Sequence, residues 1–150
     1  MVAISFDVDD RLLKTYLFYS GVLVLKVLAM AVWTASLRLV NNVVANPEDA
    51  KLNKKYKVKY DDVDIERLRR AHLNDLENIP FFLIACFGYM LTKPNVFVAT
   101  NLIRIFVMSR IMHTIVYAAI IVRQPARIIA WLLAYLVVIY MALRVVISFA

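Results

Sequence analysis

The sequence predicts an all-α integral membrane protein, a bundle of four transmembrane helices. Two observations predict the membrane class. The 150-residue chain is 63% hydrophobic with a mean hydropathy of +0.70, too apolar for an ordinary soluble domain. Its apolar residues also gather in runs near the ~20 residues a helix needs to cross a bilayer. A third observation sets the organisation. There are two glycines and no Ser/Pro-rich stretch, so no flexible linker divides the chain, and residues 1–150 read as a single transmembrane domain.

The first span covers about residues 15–39. The preceding segment does not read as a signal peptide, because it carries Asp7, Asp9 and Asp10 and the apolar run is long and contains Lys26. A polar connection over 40–62 holds Lys51, Lys54, Lys55, Lys57 and Lys59. Within it, residues 56–60 alternate like a strand but are expected to be a solvated loop. The second span covers about 63–91. Its purely apolar part, 79–91, is too short to cross alone, so the helix must include the polar residues before it, giving a length of roughly 43 Å. Pro80 removes one backbone hydrogen bond there, which neighbouring helices make tolerable. After a turn at 92–95 the third span runs over about 96–122. A turn at 123–126 leads to the fourth, about 127–149. Lys and Arg concentrate in the first and third connections, which places those in the cytosol and both termini on the far side.

Span two carries the most informative stretch. Residues 66–79, ERLRRAHLNDLENI, are dense in charge and run straight into apolar sequence. Charge at membrane depth is costly in lipid, so these side chains must face protein or a wet cavity. Arg67, Arg70, Asn74 and Glu77 share one helical face, and on span three Arg110, His113 and Tyr117 share another. Arg38 ends span one and Arg127 begins span four, so four helices send polar groups to one level. There, five arginines (Arg38, Arg67, Arg70, Arg110, Arg127) stand against Glu66, Asp75 and Glu77. Ion pairing, with Glu77 neutralising Arg70 or Arg110, accounts for part of the set. The surplus guanidinium calls for an anion, and carboxylates suit its planar fork.

Other chemistries fit less well. The formal charge of +7 lies beside membrane spans, where orientation explains it, so nucleic acid is not the expected partner. His72 and His113 are the only histidines and the single Cys86 sits in an apolar helix, so no metal site is expected and Cys86 reads as a core residue. No G-x-S-x-G element and no glycine-rich phosphate loop is present. Intramembrane charge by itself also suits a channel.

The 66–79 stretch, with Arg38-Leu39, the Ala-Asn-Pro-Glu-Asp run at 45–49, Arg110-x-x-His113-Thr114 and the Gln-Pro-Ala-Arg run at 124–127, resembles the MAPEG superfamily, the membrane-associated proteins in eicosanoid and glutathione metabolism. Within it the chain is similar to both the microsomal glutathione S-transferase and microsomal prostaglandin E synthase branches. The resemblance implies a homotrimer in the endoplasmic reticulum membrane, with glutathione as cofactor bound between protomers near the cytosolic side and a lipophilic small molecule arriving from the lipid bilayer. Carried over by position, it implies that Arg38, Arg70, Asn74, Glu77, His113, Tyr117 and Arg127 bind glutathione. Glu77 would take the ligand amine, Arg127 would stabilise the thiolate, and Asp49 would assist proton movement. The implied activity is transfer of the thiolate to lipophilic electrophiles, reduction of lipid hydroperoxides, or isomerisation of prostaglandin H2 to prostaglandin E2. A non-enzymatic lipid-binding partner of the lipoxygenase-activating type is the alternative.

Some positions depart from one branch or the other. Leu73, Ile128 and Trp131 stand where the synthase branch has arginine, serine and tyrosine. Ala50 replaces the transferase cysteine that follows Asn-Pro-Glu-Asp, so redox activation through that thiol is not expected. Pro80 comes one residue early for the superfamily. Arg104 matches the transferase branch and has no evident partner.

Overall fold

The structure, a computed structural model, describes residues 8–150; Ser5 and Asp7 lie outside the described residues. It is all-helical in its long elements: α1 (Asp10–Val40), α2 (Val63–Leu91), α3 (Val96–Thr114) and α4 (Ala126–Phe149). Three helical segments, Asp10–Val40, Val96–Ala119 and Ala126–Phe149, are long and apolar enough to cross a membrane. Their outward faces are apolar as well as their inward ones: Phe18, Leu25, Phe97 and Ile147 are all exposed.

Helices α1, α2 and α3 start where a side chain can satisfy their free N–H groups. Asp9 accepts from the Leu12 amide at 3.0 Å, Asp62 from Ile65 at 3.2 Å, and Asn95 from Phe97 and Val98 at 3.0 and 3.2 Å. The bond from Ile65 holds the Asp62 carboxyl below its usual range. α4 lacks such a cap. It begins at Pro125, and the Gln124 side-chain oxygen accepts from the Ile128 amide at 3.3 Å.

Between α1 and α2 the chain is more ordered than the sequence suggests. Asn42 turns it through a left-handed conformation (φ 54°), and Val43–Val44 (β1) then pairs in parallel with Lys57–Val58 (β2). The Lys57 amide donates to Asn42 O at 2.9 Å and the Lys59 amide to Val44 O at 3.1 Å. Residues 57 and 58 are therefore a paired strand, correcting the expectation of a loop there, while both side chains are exposed, as expected of a solvated segment. A 3-10 turn, Asp49–Leu52, lies between the strands.

The buried stripe of α2 includes Ile65, Leu68, Ala71, Asp75, Ile79, Phe82, Cys86 and Tyr89, the three- and four-residue spacing of one helical face. From Ile79 onward it meets Leu12 and Leu23 of α1, Ile103, Phe106 and Val107 of α3, and Ala134, Val137 and Met141 of α4, while Leu68 and Ala71 pack with Met30 of α1. Phe82 stacks on Phe106 with ring centroids 3.8 Å apart. Gly88 lets α4 approach closely: a Cβ there would lie 3.1 Å from Val145 Cγ2. Cys86 is fully buried in this core.

α3 does not continue to residue 122 as a regular helix. After Thr114 it widens into a π-helical turn, Ile115–Ala119. Such turns recur at functional sites, and this one carries Tyr117.

Candidate functional site

A buried ionic centre anchors the polar level of the bundle. Asp75, fully buried on α2, accepts from Arg110 Nε at 3.1 Å and Nη2 at 2.6 Å through one carboxylate oxygen. Its other oxygen takes Lys26 of α1 and, at 3.4 Å, the Thr114 hydroxyl of α3. Arg110 is itself fully buried, and its Nη2 also donates to Asn74 Oδ1 at 2.8 Å. Three helices are thus joined through one carboxylate. Leaving either member of such a buried pair alone would be costly, which is why the groups occur as a set.

This centre changes the charge balance read from the sequence. Arg110 belongs to Asp75, and Glu77 neutralises neither it nor Arg70: among the described residues neither Glu77 nor Arg70 has an ion-pair partner within 4.0 Å. Arg67 is held by Asp64 at 2.8 Å. Glu66 takes Arg69 at 2.9 Å and, more loosely, Arg38 at 3.9 Å. What remains is not bulk excess charge but particular donors. Among the described residues Arg38 Nη1, Arg110 Nη1, His113 Nδ1 and Arg127 Nε, along with Ser20 Oγ in the apolar stretch of α1, are buried without a hydrogen-bond partner; the four nitrogens lie on residues of the polar level. Buried polar atoms are nearly always paired in native structures.

Two of those four atoms belong to residues of one cavity. Asn74, His113, Tyr117 and Arg127, with Gln124, Ile128 and Trp131, line a space of about 240 Å³ between α2, the end of α3 and the start of α4. The Arg127 guanidinium lies 5.0 Å from the centre of the Tyr117 ring, a cation–π distance. The His113 and Tyr117 rings are 5.4 Å apart. Arg127 also stands in the first turn of α4, where the helix dipole adds positive potential. A second cavity of about 610 Å³ adjoins the first, sharing Asn74 and Trp131 and adding Glu77, Asn78 and Phe81 of α2 with Tyr135 and Val138 of α4. Its size is that of a small-molecule site, ~300–1,000 Å³. Among the described residues Glu77 is the only acid lining either cavity.

The structure therefore brings together Asn74, His113, Tyr117 and Arg127, with Glu77 next door. Arg70 lies exposed on the same helix. Arg38, beside Glu66, lines neither cavity. Nor does Asp49, whose carboxylate accepts from the Asn46 amide at 3.0 Å in the 3-10 turn. No cluster of three or more potential metal ligands occurs among the described residues.

The sequence reading missed the role of Asp75 and of Lys26. Lys26 stands alone in the apolar first span. An ionisable residue at such a place demands a partner, and the available acid was the apolar-face member of 66–79.

Residues 16–147 match the profile of the MAPEG family. Bovine (Bos taurus) prostaglandin E synthase is 38% identical over 138 residues, covering 92% of this chain and 90% of that protein. Microsomal glutathione S-transferase 1 of Mus musculus is 40% identical over 140 residues, covering 91% and 90%, and that of Homo sapiens is 38% identical over 149 residues, covering 96% and 95%. With a matched profile over most of its length and relatives of both kinds at this identity, the chain belongs to the MAPEG family.

Proposed function

We propose that the chain is a glutathione-dependent membrane enzyme, acting on lipophilic electrophiles or lipid hydroperoxides, or isomerising prostaglandin H2 to prostaglandin E2. The observation that carries this reading is the pair of unpartnered buried nitrogens, His113 Nδ1 and Arg127 Nε, on residues lining one polar cavity. The relatives named for glutathione transfer and for prostaglandin E synthesis support the reaction class. The donor set fits glutathione. Its carboxylates suit Arg70 and Arg38, whose planar forks match that group, Glu77 suits its ammonium, and Arg127 is left for the sulfur.

Bound there, glutathione supplies a nucleophilic sulfur. Arg127, backed by the N-terminus of α4, favours an anion beside it and so lowers the pKa of a nearby thiol. Tyr117, held against the Arg127 guanidinium, limits that side chain's freedom. Ile128 and Trp131 give the same cavity an apolar wall suited to a lipophilic partner. Asp49 lines neither cavity of the single chain, so its proposed help in moving a proton would come through water or from a neighbouring protomer.

In the same reading α2 is a fourth span, residues 1–150 form one transmembrane domain, and three copies assemble in the endoplasmic reticulum membrane with the site facing the cytosol. The exposed Arg70 and Glu77 would then meet a neighbouring protomer instead of lipid, which is consistent with the cost of bare charge there.

The test is turnover by the purified protein with glutathione and, in turn, a chloronitrobenzene, a lipid hydroperoxide and prostaglandin H2. The reading expects glutathione-dependent product from at least one, with the thiol consumed in the first two cases and returned in the third. Folded protein without glutathione-dependent turnover of any of them would instead favour the lipid-binding role.

A further inference from the structure

The ionic centre does more than join helices: it fixes the chemical face that Asn74 shows to the cavity. Arginine has only donors, so the Asn74 atom 2.8 Å from Arg110 Nη2 must be its amide oxygen. The same amide's Nδ2, with two N–H bonds, then has no hydrogen bond among the described residues, while Asn74 lines both cavities. Arg110 has no freedom to do otherwise, because Asp75 grips its Nε and Nη2 and is in turn held by Lys26 and Thr114.

From this juxtaposition we infer that Arg110, clamped by Asp75, is a positioning residue that turns the Asn74 amide so that its N–H bonds face the cavity, making that wall specific for an acceptor group of the ligand. The inference rests on the reading of the cavity as a glutathione site and deepens it. The ligand atom opposite Asn74 is a carboxylate or peptide carbonyl oxygen, and not the ammonium, which is left to Glu77. Lys26, Asp75 and Thr114 act through Arg110 and touch no ligand.

The experiment uses the full chain in detergent and compares glutathione affinity, KM, kcat and thermal midpoint in the parent, Asn74→Asp and Arg110→Lys. Asn74→Asp preserves an acceptor for Arg110 but replaces the cavity donor by an acceptor. The inference expects a folded protein with glutathione affinity reduced roughly 10- to 100-fold, the usual worth of a hydrogen bond to a charged group. Arg110→Lys keeps a cation for Asp75 but loses the fork that reaches Asn74 as well. It is expected to raise KM with kcat retained at saturating glutathione, because a bond made equally in ground and transition states affects only binding. Should Asn74→Asp fail to fold, Arg110→Lys decides alone. Parent-like affinity in Asn74→Asp, or parent-like KM in Arg110→Lys, overturns the inference and leaves the glutathione reading standing. A parent that does not bind glutathione overturns both.

Discussion

Asp75 ties three helices together. It offsets the fully buried Arg110 and the largely buried Lys26, from two other helices. Asp75→Ala should therefore destabilise the fold by about 3–5 kcal/mol, the cost of leaving a buried charge uncompensated. Unfolding in mild detergent measures this, and a variant that unfolds with the parent would show that the centre is hydrated and cheap to break. At this scale the sequence showed the cavity residues better than their support. Asn74, His113 and Tyr117 were visible because three- and four-residue spacing sets each on a polar helical face, and Arg127 because it begins the fourth span; the structure places all four around one cavity. The pairing of Asp75 with Lys26 was not visible, since the two are 49 residues apart and helical periodicity says nothing about which faces meet. Counting charges also overstated the cation surplus, because Asp64, three residues before Arg67, holds that side chain locally.

Among the elements, α2 and α4 meet closely at Gly88. A side chain there would press on Val145, whose Cγ2 is only 3.1 Å from the nearest added atom. Gly88→Val should cost about 1–3 kcal/mol through overpacking, and Val145→Ala in the same chain should recover part of it. Thermal midpoints of the two single variants and the double variant give the coupling directly; strict additivity would mean that the helices do not meet at this point. Helix positions were legible from hydrophobic runs, and α2 was correctly read as a helix half polar and half apolar. Two irregular elements were not. The π-helical turn at Ile115–Ala119 leaves the apolar pattern unchanged, so residues through 122 looked like helix. The parallel pairing of Val43–Val44 with Lys57–Val58 depends on the left-handed turn at Asn42 and a contact across the intervening loop. Strand alternation at 56–60 hinted at it without naming a partner.

For the whole molecule, the account joins an apolar exterior to a polar seam along α2 and the start of α4. Arg70 and Glu77 are exposed in the single chain, and the proposed trimer would bury them against further copies. Mass analysis in mild detergent is expected to give three chains, and a stable, active monomer would contradict that assembly. In the proposed reading, chemistry at the seam turns on Arg127. If Arg127 holds the thiolate, glutathione bound to the parent should ionise well below about 8.5, the range of a free thiol. In Arg127→Ala the titration should move upward, with turnover at neutral pH falling further than affinity, because the substitution removes the positive charge that favours the ionised form. The thiolate absorbance of bound glutathione, followed against pH in the parent and in Arg127→Ala, measures this directly. Two separated curves, the parent's at lower pH, are the predicted result; coincident curves with turnover retained would contradict it.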